Sequence, residues 1–293
     1  MLKVIEKTKI WFAISLTIII IGLIFGIVKG FNYSTDFAGG TLIDINMEKD
    51  FIKSDADAIV KKYIPDAETK KVKDSKTIEL EIRSKSVSTE KVNEMVSEVK
   101  QKFNLKEKNS LTSQESIGAS VTSEARRKAL IAVIIASLAM LLYVGIRFEF
   151  KFGIAAIIAL IHDVLITLGV YAVFQIPVGS NLIAAILTII GYSINDTIVV
   201  FDRIRENQRK MRKSPQEIAD ISITQTMARS INTVLTTLFT IVAVNIFVPA
   251  VRDFAIPLII GIISGCYSSI FIASPLWVIF KNMGKKTAAA KVH

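Results

Sequence analysis

The stretch IGYSINDTIVVFDRIREN, residues 190–207, sets one carboxylate, Asp196, inside an apolar run and then closes on an arginine-rich exit. A carboxylate at the centre of a membrane helix costs about 2.5–3.5 kcal/mol even on insertion scales, so such a residue marks a proton or ion site or one half of a buried pair. Positions four apart share a helix face, and Thr188, Tyr192 and Asp196 align, with Gly191 and Asn195 alongside. A second polar stripe lies further on, with Arg229, Thr233 and Thr237 in one row and Asn232, Thr236 and Thr240 in the next. Packed against each other in the interior of a bundle, the two stripes form a hydrophilic track. Asp196 is then the proton acceptor and Arg229 the charge that pairs with it; a static pair joining two helices is the alternative.

His162 and Asp163 are adjacent in ALIHDVL, where a proton relay and a structural pair bonding to neighbouring helices are equally open readings. Neighbours on a helix point about 100° apart, so the two need not share a partner. Asp202, Arg203, Arg205 and Glu206 follow Asp196 at the expected water boundary, with the spacing of i,i+3 and i,i+4 pairs. The sequence carries no metal-ligand cluster, no nucleophile and base pattern and no G-x-x-x-x-G-K-[ST] loop. Neither an enzyme nor a nucleotide-driven motor is expected, no cofactor is called for, and energy must come from an ion gradient or a partner.

These residues need membrane helices to hold them. Of the 293 residues, 51% are hydrophobic, and six apolar runs suit a bilayer: 10–28, 129–146, 152–174, 181–201, 231–248 and 254–280. The last is long enough to tilt or to end in an interfacial turn. Basic residues crowd the N-terminus, the segment after the fourth run and the C-terminus, including Lys281, Lys285, Lys286 and Lys291, whereas the two short loops between runs carry only Arg252, beside Asp253. Both termini are therefore expected in the cytoplasm, with residues 31–122 outside. That outer region has a net charge of −1 against +10 for the chain, which argues against a nucleic-acid partner. The first run is long for a signal peptide and no A-x-A site follows it, so it reads as a retained span. Gly22, Gly26 and Gly30, and later Gly261 and Gly265, have the four-residue spacing of close helix packing. Cys266 reads as a small hydrophobe within the last run.

The outer region changes period. TLIDINM alternates as a strand, and SDADAIVKKYI, opening on Ser54, reads as a helix ending before Pro65. AETKKVK and TIELEIR form a hairpin around Asp74 and Ser75. STEKVNEMVSEVKQKF places residues 92, 95, 96, 99 and 103 on one face behind a Ser88 or Thr89 cap, and a weaker strand falls within 107–116. The order β-α-β-β-α-β is that of a ferredoxin-like α+β domain, so the fold class expected is a polytopic α-helical membrane protein carrying one small extracytoplasmic domain. The divisions are 1–30, 31–122, a five-helix bundle over 123–280 with a cytoplasmic loop at about 202–228, and a tail over 281–293. Within that loop Ser214, Pro215 and Glu217 make a helix start.

STDFAGGT after the first span, HD in the third, SINDTIVVFDRIREN ending the fourth and ARSINTVLTT opening the fifth together resemble the SecF branch of the SecD/SecF protein-export family, related to the resistance-nodulation-division transporters. The resemblance covers nearly the whole chain and implies pairing with SecD to draw preproteins through the SecYEG translocon with the proton-motive force. YidC and YajC are further partners it implies. By position it places the family's membrane Asp on Asp196, its fifth-span Arg on Arg229 and its D-F-x-G-G signature, a structural or hinge motif, on Asp36, Phe37, Gly39 and Gly40. One departure is IGASVTSEA, including Gly118, where the family often has V-G-P-x-V-G. A small-molecule or lipid exporter subunit of the same superfamily and a non-transporting scaffold are the competing classes.

Overall fold

In the computed structural model the described residues are 2–73, 78–85, 87–105, 111–117, 119–147, 149–248 and 251–290. Gly118, Asp74, Ser75 and Lys291, named above, lie outside them. In chain order the elements are α1 (Thr8–Val28), α2 (Thr35–Ala38), β1 (Gly40–Asn46), α3 (Lys53–Tyr63), β2 (Glu68–Lys73), β3 (Ile78–Ser84), α4 (Thr89–Phe103) and β4 (Leu111–Ile117). The long helices α5 (Ala119–Arg147), α6 (Phe150–Phe174), α7 (Ser180–Lys210), α8 (Pro215–Phe247) and α9 (Arg252–Ser268) follow, and α9 runs through a π-helical turn, Ser269–Ala273, into α10 (Ser274–Ala290). Six of these segments are long and apolar enough to cross a membrane.

The small domain is a four-stranded antiparallel sheet in the order β2-β3-β1-β4, the ferredoxin-like arrangement. Alternation along β1 turns Ile43 and Ile45 inward, opposite Ile82 and Leu80 of β3. Against them pack Ala56, Ile59 and Val60 of α3 and Val92, Met95, Val96 and Val99 of α4, the face that the 3.6-residue spacing marks out. Caps follow the sequence less closely. α3 begins at Lys53, before Ser54, and neither Ile52 nor Ser88 makes a side-chain cap, whereas Ser214 forms the full capping box with Glu217.

Three departures concern the membrane half. Within the expected loop at 202–228 the helix start at Ser214–Pro215 falls where the sequence puts it, but α7 continues four turns past Asp196, so only Met211–Ser214 is left as a link. The last apolar run does not end in a turn: it stays helical through the π turn near its midpoint, where Ser269 Oγ donates to Gly265 O at 2.8 Å and Ser274 Oγ to Ser269 O at 2.9 Å. The second span is longer than its apolar core, since α5 begins at Ala119, close under the small domain.

Helices meet where side chains are small. Gly22 of α1 lies on Gly169 of α6, and a Cβ on Gly169 would come within 3.2 Å of the Gly22 Cα. A Cβ on Gly265 of α9 would sit 2.9 Å from that of Ser193 on α7.

The D-F-x-G-G segment joins the two halves as a tight fitting. Gly39 and Gly40 have φ values of 78° and 136°, conformations costly for other residues, and a side chain on Gly40 would strike the Ser84 carbonyl of β3. Phe37 is buried in the helical core rather than in the domain's own. Nearby, Ser34 N donates to Val178 O at 3.0 Å, Val178 N to Asn32 O at 2.7 Å, and Gln175 Nε2 to Gly30 O at 3.1 Å. Arg126 of α5 lies 4.9 Å over the Tyr33 ring, and Lys70 of β2 pairs with Asp253 of α9 at 3.1 Å.

Candidate functional site

Two polar features occupy the helical half, and they differ in access. The first is Asp163, fully buried on α6. Its Oδ1 accepts from Ser264 Oγ at 2.6 Å and meets His162 Nδ1 at 3.0 Å; its Oδ2 accepts from Ser193 Oγ at 2.6 Å and Ser268 Oγ at 2.8 Å. Helices α6, α7 and α9 thus converge on one carboxyl group. Glycines 261 and 265 let α9 approach α7 closely enough for this. Adjacent residues normally point apart on a helix, yet His162 Nδ1 and Asp163 Oδ1 lie 3.0 Å apart. His162 Nε2 continues to Ser15 Oγ of α1 at 3.0 Å, and the ring stacks on Tyr267 with centroids 6.0 Å apart.

The second feature is Asp196, three residues after Ser193 on α7, and Ser193 also lines the cavity that Asp196 opens into. It is 7% exposed and opens into a small cavity with Tyr192, Asn195, Thr233, Ile262 and Cys266 on its walls. Among the described residues its carboxylate makes no hydrogen bond or ion pair. Arg229 is exposed on α8 and lies beyond ion-pairing distance of Asp196, so the expected pair is not closed within this chain.

The two polar stripes also sit differently from the expectation. They flank an open cleft, formed by Thr188 and Tyr192 on one side and Thr236, Thr237 and Thr240 on the other, instead of lining the bundle interior. Asn195, Tyr192, Asn232, Thr236 and Thr240 are exposed. Outward placement is tolerated because the threonine hydroxyls are satisfied by their own helix: Thr236 Oγ1 donates to Asn232 O at 3.0 Å, Thr237 Oγ1 to Thr233 O at 3.0 Å and Thr240 Oγ1 to Thr236 O at 3.2 Å.

At the exit of α7 the local pairs expected from spacing form. Arg203 bonds Glu206 at 2.6 Å, Lys210 bonds Glu206 at 2.6 Å and Arg205 approaches Asp202 at 3.7 Å. Arg203 Nε also donates to Gln225 Oε1 at 2.7 Å, and Asn207 Nδ2 donates to Ser222 Oγ at 2.8 Å, which fastens the foot of α7 to the start of α8. Asp220 accepts from the backbone N–H groups of Val4 and Ile5 at 2.9 and 3.0 Å, holding the chain start against α8.

Sequence reasoning missed Ser15, Ser193, Ser264, Ser268, Tyr267 and Asp220. A usable signal was Ser264 and Ser268, four apart and each three residues after a glycine of the Gly261–Gly265 pair, which puts small hydroxyls on the helix's closest-packing face. Among the described residues no group of three or more His, Cys, Asp or Glu side chains is placed to hold a metal ion.

Residues 95–283 match the family described as protein export membrane protein SecD/SecF, C-terminal, and residues 24–50 match the SecD/SecF GG motif. The protein translocase subunit SecF of Sebaldella termitidis is 37% identical over 97% of this chain and 93% of its own length. That of Vibrio alginolyticus is 39% identical over 92% of this chain and 86% of its own. The crystal structure of SecDF from Thermus thermophilus, titled a translocon-associated membrane protein, superposes with a TM-score of 0.80 at 36% identity, covering 96% of this chain but 39% of that longer one. With matches of this extent, from the glycine turn under the small domain to the end of the helical bundle, the chain belongs to the SecD/SecF family of protein export membrane proteins.

Proposed function

We propose that this chain is a SecF-type subunit of the Sec protein-export machinery, which pairs with a SecD-type subunit and uses the proton-motive force to promote preprotein movement through a SecYEG translocon. The observation that carries this reading is the cleft beside Asp196. Among the described residues this carboxylate closes no hydrogen bond or ion pair, it stands next to an open, hydroxyl-lined face, and the chain covers 39% of a SecDF chain. Closing that face with a second half-bundle excludes lipid from Asp196, Asn195, Tyr192 and Thr236 and brings further polar groups to the carboxylate. Arg229 supplies a positive charge on the same face. Protonation and release at Asp196 then change the charge buried between the two halves, which is the form of work a gradient delivers to a pair of rigid bodies.

The fused SecDF relative supports SecD as the partner, and YidC and YajC are further candidates. The positive-inside distribution supports a cell-membrane location with cytoplasmic termini and the small domain outside. The proton gradient is the energy source; no cofactor is invoked. In cells depleted of the native copy, Asp196→Asn should be inserted, should co-purify with SecD and should fail to support export of secreted preproteins. Normal export by this variant refutes the proton-site reading, and absence of SecD from purified wild-type protein refutes the pairing.

A further inference from the structure

The seam between the small domain and the helical bundle holds a cavity of about 70 Å³, open on one side. A single water needs about 10–15 Å³, so there is room for a larger polar group. Its walls come from the link after α1, with Ser34, from β2 and the turn before it, with Asp66 and Glu68, and from the end of β3, with Arg83 and Lys85.

Ser34 is 8% exposed, and its Oγ is buried without a hydrogen-bond partner among the described residues. Buried polar groups are normally satisfied, so one left open on a cavity wall marks a place where a group from outside completes the bond. The charges on the walls are also incompletely used. Among the described residues Asp66 is reached only by Ser84 Oγ and the Lys85 N–H, each at 3.3 Å, which is long for bonds to a carboxylate. Arg83 gives Nε to Glu81 at 2.6 Å and keeps its terminal N–H groups. Neither the Glu68 carboxylate nor the Lys85 ammonium closes an ion pair among the described residues. Two carboxylates and two cations around one opening suit a ligand that carries both signs, whereas a lone anion or a metal ion meets like charge on one wall.

The place narrows the class. Ser34 comes six residues after α1 ends at Val28, and its N–H donates to Val178 O in the link between α6 and α7, so the cavity lies level with the ends of three spans. Ile27, Val28 and Phe174 expose apolar side chains at those ends, and Tyr33 on the cavity wall is also exposed, as aromatic residues at a membrane interface are.

We propose that this cavity binds the phosphoethanolamine headgroup of a membrane lipid, with the ammonium donating to Asp66, Glu68 and Ser34 Oγ and the phosphate accepting from Arg83 and Lys85. The acyl chains then lie along the exposed ends of α1 and α6. Binding makes and breaks no covalent bond. Ser34 belongs to the segment that seats the small domain, while Asp66 and Arg83 belong to the domain itself, so the headgroup joins the two. A choline headgroup donates no hydrogen bond to Ser34 or to the carboxylates, and a glycerol headgroup lacks the cation.

The full chain is reconstituted in nanodiscs of phosphatidylcholine, phosphatidylglycerol and phosphatidylethanolamine in equal parts, released in mild detergent and weighed intact by native mass spectrometry. The expected result is one phosphatidylethanolamine retained in preference to the other two lipids. Asp66→Asn should weaken that retention about tenfold, the size of one hydrogen bond to a charged group, and Ser34→Ala should act in the same direction. Glu68→Gln and Lys85→Gln should also weaken it; they alter exposed side chains and keep the test available if the buried variant does not fold. Equal retention of the three lipids, or a preference untouched by these variants, overturns the proposal. Tight retention of soluble phosphoethanolamine in nanodiscs of phosphatidylcholine alone would move the source from a lipid to a free compound and overturn the lipid assignment. The readout does not involve export, so either result leaves the Asp196 reading to its own test.

Discussion

Removing one serine from the Asp163 cluster should cost more than an ordinary membrane hydrogen bond, and the excess should vanish once the carboxylate is gone. Neutral interhelical bonds in membranes average about 0.6 kcal/mol. Bonds to charged groups contribute about 1.5–3 kcal/mol. The Ser264 Oγ to Asp163 Oδ1 bond is 2.6 Å long and fully buried, so Ser264→Ala is expected to destabilise the bundle by about 1.5–2 kcal/mol. Asp163→Ala, which takes the acceptor from Ser193, Ser264 and His162 Nδ1 together while Ser268 keeps Gly265 O, should cost about 3–5 kcal/mol. In the Asp163→Ala background the serine has lost its carboxyl acceptor, and Ser264→Ala should cost no more than about 0.5 kcal/mol. The coupling is then at least about 1 kcal/mol, within the range expected of residues sharing one network. Reversible unfolding in mixed micelles, followed by circular dichroism for the four members of the cycle, measures it. Additive effects would mean that Ser264 bonds elsewhere than to Asp163.

Gly40→Ala should destabilise the full chain by at least about 1–3 kcal/mol from its φ of 136° alone, and should loosen the seat of the small domain, seen as faster hydrogen exchange in β1 and β3. Burial works to raise the Asp57 carboxyl, but the bonds from Lys53 and Thr69 outweigh it and hold it below its ordinary value of 3.8. The stability this gives the α3 to β2 contact is therefore complete above about pH 4 and is lost as pH falls through the lower folded value; exchange protection of α3 should drop on that acid limb, and Asp57→Asn should flatten the dependence. Arg229→Lys should keep part of the export activity and Arg229→Met almost none; equal, near-complete activity of the two would remove Arg229 from the account. Cysteines replacing Lys70 and Asp253 in a Cys266→Ala background, joined by a reducible two-headed thiol cross-linker, should block export until the link is reduced if the small domain must leave the bundle, and unimpeded export by the verified tether would show that it need not.

The elements governed by periodicity were legible in the sequence. The face of α4 at Val92, Met95, Val96 and Val99, the alternation of β1 and the six apolar runs each repeat a burial pattern, and burial is a local consequence of spacing. The outward placement of Thr236 and Thr240 was not legible, because a polar stripe signals that something other than lipid covers it without saying whether that cover lies in the same chain. The Asp163 cluster was hidden for another reason. Ser15, Ser193, Ser264 and Ser268 come from three helices and none is unusual where it stands; only their convergence through the glycine contacts makes them a site. Conversely, the prominent Asp196 and Arg229 were found at once but are not joined by an ion pair in this chain.

The central claim is that Asp196 couples export to a proton gradient, and export in vesicles with an imposed gradient tests it most directly. Vesicles containing the translocon, the SecD partner and this chain are compared with and without the gradient, for the wild type and for Asp196→Asn in equal amounts and equally assembled. The account predicts that the gradient accelerates completion of preprotein transit with the wild type and has no effect with Asp196→Asn. An equal acceleration by both would contradict it.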